Sequence, residues 1–273
     1  AAHDEFRTRH DFQGSSLLIQ PFIQYKWKVN KDMDLTAGIH SQYFSLSNSV
    51  SYAEPRLGWQ YRMKNKQVLS AGAGMHSQTQ PLYQYTYQRY DSQNNPVLHN
   101  KNMDFTRSIH SAIGYEKTFK KSLRFKTEVY YQQLYNIPID MKPSAFSLIN
   151  QGSGFQRFFP DTLVNNGTAR NYGVEVTVQK FFDQSFFYLI SASFFESKYT
   201  GSDGKERDTD FNGNYAANFL AGKEFKIKDK NVLSIGLKFT VAGGRRYGYV
   251  NIPATLEENE LVFLDEGFNE RQF

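Results

Sequence analysis

Cysteine is absent from the 273 residues. Disulfides, thiol nucleophiles, Cys-type zinc sites and iron–sulfur clusters are excluded with it. No stretch of about 18 apolar residues occurs, so no transmembrane helix is expected. Mean hydropathy is −0.60, which agrees. Charge of one sign is scarce as well: 32 Lys and Arg against 27 Asp and Glu leave +5. That excess is too small and too scattered to predict a nucleic-acid partner. No nucleophile elbow, phosphate loop or HExxH helix is present, so no catalytic residue is assigned. The opening Ala1-Ala2-His3-Asp4-Glu5 lacks Met and a signal peptide, and the chain reads as a piece of a longer one.

The dominant pattern is a period of two. Tyr172, Val174, Val176 and Val178 alternate with Gly173, Glu175, Thr177 and Gln179. Leu233, Ile235, Leu237, Phe239 and Val241 alternate with Ser234, Gly236, Lys238 and Thr240. Strict alternation requires a strand with one apolar and one polar side. Similar segments near 17–29, 33–44, 55–63, 67–78, 103–119, 122–135, 185–199 and 214–226 bring the expectation to ten strands. No helical stripe competes with them.

Five connections are short and polar: Asn30-Lys31-Asp32, Lys64-Asn65-Lys66, Lys120-Lys121-Ser122, Asp183-Gln184 and Lys228-Asp229-Lys230. Between them fall segments that read as long loops, at about 46–53, 79–102, 136–168, 200–213 and 243–273. In an up-and-down sheet this alternation puts short turns at one end and long loops at the other. Outer-membrane barrels have that asymmetry. Of the 24 Phe and 18 Tyr, many gather near the two ends. Tyr25, Trp27, Tyr61, Tyr115 and Phe225 lie beside the short turns; Tyr43, Phe44, Tyr131, Tyr172, Phe194, Tyr199 and Tyr215 lie near the loops. Two interfacial aromatic girdles are predicted. The polar face is rich in Gly, Ser, Thr, Gln and His rather than in the Lys and Glu of a face in bulk water. The expected fold is therefore all-β: an antiparallel up-and-down transmembrane β-barrel, with residues 1–273 one partial barrel domain. A soluble β-rich binding protein is the less favoured alternative.

Four stretches resemble a known family. They are Glu54-Pro55-Arg56-Leu57-Gly58 running into Trp59, the segment Leu69–Gln78 followed by Gln80-Pro81-Leu82, Ala169-Arg170-Asn171-Tyr172-Gly173-Val174-Glu175, and Asn218–Phe225. Together, in this order and spacing, they resemble the C-terminal half of the barrel of TonB-dependent outer-membrane receptors, closest to the branch often carrying a carboxypeptidase-regulatory-like domain upstream. The resemblance implies about ten strands of a 22-stranded barrel with a plugged lumen. It implies residence in the outer membrane of a Gram-negative bacterium and active import of a scarce small-molecule, glycan or peptide ligand. The implied partners are the TonB complex, through a plug domain not contained in this chain, and outer-membrane lipid. No cofactor, enzymatic activity or nucleic-acid partner is implied. A non-transporting barrel, structural or adhesive, is the alternative.

Candidate site residues are few. His40, His76 and His110 fall on polar-face positions and could converge as a metal or ligand site, or simply hydrogen-bond within a polar lumen. Asp208, Asp210 and Asn212 match the first half of a calcium loop, but Phe219 stands where the bidentate Glu belongs. Phe155, Phe158 and Phe159 give the longest internal loop an aromatic character suited to ligand capture or to self-packing. Glu175, Arg124, Lys126, Glu128 and Lys238 are expected to point inwards, and Arg107 to sit near an interface.

Overall fold

The computed structural model describes residues 8–119, 122–152, 162–228, 230–259, 261–264 and 267–272. These residues build one antiparallel sheet of twelve strands, ten of them long. The long strands are β1 (Phe22–Lys28), β2 (Met33–Phe44), β3 (Ser49–Met63), β4 (Gln67–Gln78) and β5 (Thr106–Phe119). They continue as β6 (Leu123–Asp140), β7 (Leu163–Asp183), β8 (Phe186–Thr200), β9 (Tyr215–Ile227) and β10 (Asn231–Ala242). Each pairs with its sequence neighbour, from β1 at one edge to β10 at the other. Leu18–Ile19 and Glu206–Asp208 add short pieces beside β2 and β8. The edges do not pair with each other, so the sheet is a partial, unclosed barrel.

Register makes the two faces continuous. Trp27 opposes Leu35, Leu35 opposes Trp59, and Trp59 opposes Ala71. Further along, Ala71 opposes Ile113, Ile113 opposes Val129, and Val129 opposes Val174. Val174 then opposes Phe194, and Phe194 opposes Tyr215. This apolar surface runs across nine strands and stays exposed, with Leu57 63% and Ile113 66% accessible. So large an apolar patch is untenable in water and is what lipid requires. No helix among the described residues is long and apolar enough to cross a membrane, so crossing falls to the strands.

The turn end matches the sequence expectation where it is described; Lys120, Lys121 and Asp229 lie outside the described residues. The loop end needs two corrections. The stretch read as a long loop at 46–53 is the tight turn at 45–48, and β3 begins at Ser49. Asn48 takes φ 55°, a left-handed conformation that Asn tolerates. The run Ser45-Leu46-Ser47-Asn48-Ser49-Val50-Ser51 has a loop composition, which hides the start of the strand. Here Pro55 opposes Ile39 on β2, while the β3–β4 ladder starts only at Arg56. The loop predicted at 136–168 also shrinks, because β6 runs on to Asp140 and β7 starts at Leu163. Register shifts around Gly167 broke the alternation there.

The second correction concerns the loop-side girdle. Tyr131, Tyr172, Phe194 and Tyr215 are exposed, and the Tyr131 and Tyr172 rings stack at 6.5 Å. Phe44 and Tyr199 instead are buried in small cores at the loop end. One core joins Phe44 to Tyr85, Met103, Phe105 and Leu163. The other joins Tyr199 to Ile137, Leu148 and Ala169, with Phe146 touching both. The described parts of the long loops thus pack onto the strand ends.

Candidate functional site

The polar face carries tiers of paired side chains. Nearest the turns, Lys26 Nζ lies 3.3 Å from Asp34 Oδ2, and Arg62 donates to the same carboxylate. Arg124 Nη2, also beside a short turn, donates to Gln179 Oε1 at 2.9 Å, and further along the strand Lys126 Nζ lies 3.2 Å from Glu128 Oε2. Glu175 opposes Glu128 and Lys238 opposes Leu220 on this same face, as the period of two predicts. Arg107 has the other parity. It sits at the loop-end rim and donates from Nη2 to Asp104 Oδ2 at 3.2 Å and to the Val50 carbonyl at 3.2 Å.

Nearer the loops the three predicted histidines share this face. His40 opposes Glu54, and its Nδ1 is 2.8 Å from Glu54 Oε2. Glu54 is 1% exposed and also accepts from Gln42 Nε2 at 2.9 Å. Gln42 Nε2 reaches the Ser77 carbonyl at 2.7 Å, binding β2 to β4. A buried carboxylate needs such donors, because an unpaired charge there is costly. His76 and His110 stack face to face at 4.6 Å, one on β4 and one on β5. Gly74 makes the room: a Cβ there would meet His76 Nε2 at 3.3 Å and Arg56 Cγ at 3.4 Å. Among the described residues no group of three or more His, Asp or Glu is arranged to hold a metal. A polar row continues sideways. Gln132 opposes His110, Asn171 Nδ2 donates to Gln132 Oε1 at 2.9 Å, and Ser197 Oγ donates to Asn171 Oδ1 at 2.7 Å.

Asp208, Asp210 and Asn212 are brought together, but by their own chain. Asn212 Nδ2 donates to Asp208 Oδ1 at 2.7 Å, Arg246 Nη1 lies 3.2 Å from Asp208 Oδ2, and Asn269 Nδ2 donates to Asp210 Oδ1. Cationic and amide groups occupy the oxygens that a calcium ion would take. Beside them Arg207 pairs with Asp203 through two bonds, 2.9 and 2.6 Å, and holds that loop carboxyl below its ordinary range. Phe155, Phe158 and Phe159 lie outside the described residues.

Glu54, Gln42 and Arg56 escaped the sequence reading as site residues. Gln42 shares the polar side of its strand with His40, and Arg56 lies on the polar side of the next, but only the pairing of His40 with Glu54 across the tight turn brings them together.

The two-faced strands, the loop-end cores and the charged inner tiers are the setting for comparison with known proteins. The family model described as TonB dependent receptor-like, beta-barrel matches residues 4–259. The chain belongs to that family. None of the curated proteins compared matches it. Among solved structures, the chain is similar to the siderophore receptor PirA from Pseudomonas aeruginosa, with TM-score 0.58 and 14% identity, covering 84% of this chain and 40% of that one. The ferric-catecholate import receptor Fiu from E. coli K12 gives TM-score 0.60 at 12% identity, covering 85% and 35%. The FrpB iron transporter from Neisseria meningitidis gives 0.58 at 13%, covering 85% and 34%. Identity at this level speaks for the fold alone. The chain spans little more than a third of those receptors' length. TonB-dependent receptors are Gram-negative outer-membrane proteins, so this barrel wall belongs to that membrane, and the family is one of transporters, not enzymes.

Proposed function

We propose that residues 1–273 form one partial barrel domain of an outer-membrane importer. It takes a scarce ligand from outside and delivers it to the periplasm with energy transmitted by TonB through a plug. The observation that carries this reading is the pairing of a lipid-compatible face with a densely hydrogen-bonded polar face, at whose loop end the histidine tier and folded loops stand together. Neighbours named for siderophore or iron import share the fold. The polar wall would guide ligand and contact the plug, and the loop end would meet ligand first.

The test is uptake by intact cells carrying the complete receptor. Accumulation of its ligand should fall to background when a protonophore collapses the inner-membrane gradient, while surface binding persists. Accumulation indifferent to the gradient would sink the reading.

A further inference from the structure

A cavity of about 290 Å³ opens where β4, β5 and β6 meet the loops. It holds about ten water volumes. Its polar lining is Gln78, Thr79, Gln80, Gln84, Thr106 and Gln151. Leu134 and Ile137 from β6 and Leu148 from the loop supply an apolar wall. Gln78 opposes Thr106, two residues along from His76, so the cavity stands directly beyond the histidine tier on the polar face.

The lining is unusual in two respects. It contains no Lys, Arg, Asp, Glu or His among the described residues, although the wall below carries the ion pairs Lys26–Asp34, Arg56–Glu54 and Lys126–Glu128. Its amides are also incompletely used. Gln80 Nε2 donates to Thr106 Oγ1 at 2.7 Å, and Gln84 Nε2 donates to Tyr83 Oη at 3.3 Å. Gln84 Oε1 has no partner, and no hydrogen bond holds the side-chain amides of Gln78 or Gln151 among the described residues. Anionic ligands are gripped by guanidinium and ammonium groups, which deliver charge-assisted bonds. The amides of Gln78 and Gln151 and the Gln84 Oε1 instead offer donors and acceptors at no net charge. Such a site discriminates strongly, because a ligand lacking the matching groups leaves its amides unpaired.

We propose that this cavity is a ligand subsite for an uncharged, hydrogen-bonding moiety of about one ring's size, a sugar ring or a blocked peptide unit, and not for a ferric anion. The proposal rests on the importer reading and names its ligand class. The complete receptor in detergent is titrated by saturation-transfer NMR with three probe sets. They are maltohexaose, mannohexaose and xylohexaose; N-acetylated, C-amidated neutral hexapeptides; and ferric citrate. Transfer to a member of the first or second set is expected, and which set responds identifies the source. Affinity should fall about tenfold in Gln78→Glu and in Gln151→Ala. Gln78 is exposed and its replacement is isosteric, so misfolding does not explain a loss. Silence of both neutral sets, or a signal that survives both substitutions, overturns the proposal. Binding in detergent needs neither TonB nor a gradient, so its failure is distinct from gradient-independent uptake, which would remove the importer reading itself.

Discussion

Two carboxylates show what the chain asks of single residues. Glu54 is enclosed on the polar face with Gln42 and His40 as its donors. Glu54→Leu removes an acceptor from each, although Gln42 Nε2 keeps the Ser77 carbonyl, and a buried donor without a partner costs about 1–3 kcal/mol. The complete receptor should therefore melt earlier in detergent; an unchanged midpoint means the tier contributes nothing. Asp203 lies in the loop at 201–205, where Arg207 hydrogen bonds pull its carboxyl below the ordinary 3.8. A depressed folded value means that its stabilisation is complete above the unfolded value and is lost as pH falls through the folded one. Amide-exchange protection of residues 200–214 should thus hold from neutrality down to about pH 4 and drop below that. Asp203→Asn should flatten the drop at a lower level. A fall near pH 6 would point to a different group. Neither arrangement was legible in the sequence. Glu54 falls at the boundary between the loop expected at 46–53 and the strand expected near 55–63, where no face is assigned, and the Asp203–Arg207 pair lies inside a loop where no period constrains which side chains meet.

At the scale of the strand, the sequence was most legible where physics leaves one option. A strand between lipid and a polar interior must alternate, and all ten long strands show that alternation over most of their length. Legibility failed where strands leave the membrane. Around Gly167 the register shifts, and Ile137 and Leu163 are buried by loop packing rather than by lipid. Glycine positions had a reason visible only in three dimensions. A Cβ on Gly222 would meet the Phe187 ring at 2.3 Å, and one on Gly173 would meet Tyr130 Oη at 2.8 Å and the Phe194 carbonyl at 2.6 Å. These glycines let aromatic rings lie across the sheet. The two-face assignment has a direct test. Val129→Arg puts a cation in mid-strand on the apolar face, at about 2–4 kcal/mol near the bilayer midplane. Ser193→Arg, which opposes Glu175 on the polar face, should be nearly silent. Folding yields of the complete receptor in lipid vesicles, read by heat-modifiable gel mobility, should separate the two. Equal yields would mean that the faces are assigned wrongly.

For the whole molecule, the decisive feature is the pair of open edges. Every residue of β1 and of β10 is exposed, and neither strand has a partner on its outer side. Half of the backbone N–H and C=O groups along each edge therefore lack a ladder partner. Water satisfies such groups, but hydrocarbon does not, so an open edge in a membrane must find another strand. The loop-end cores offer no remedy, since they tie β2, β7 and the loop leading into β5 together through Phe44, Leu163 and Phe105 and leave both edges untouched. Those contacts span more than a hundred residues of sequence, which makes for slow closure and a long exposure of the edges during folding. Residues 1–273 produced alone and refolded into detergent should therefore associate edge to edge, giving a broad distribution in sedimentation velocity. Val232→Lys with Leu233→Pro on β10 should narrow it, because charge and a missing N–H blunt a strand edge. A sharp monomer from the unsubstituted chain would mean that the two edges close on each other, and the arc would then be a small barrel in its own right.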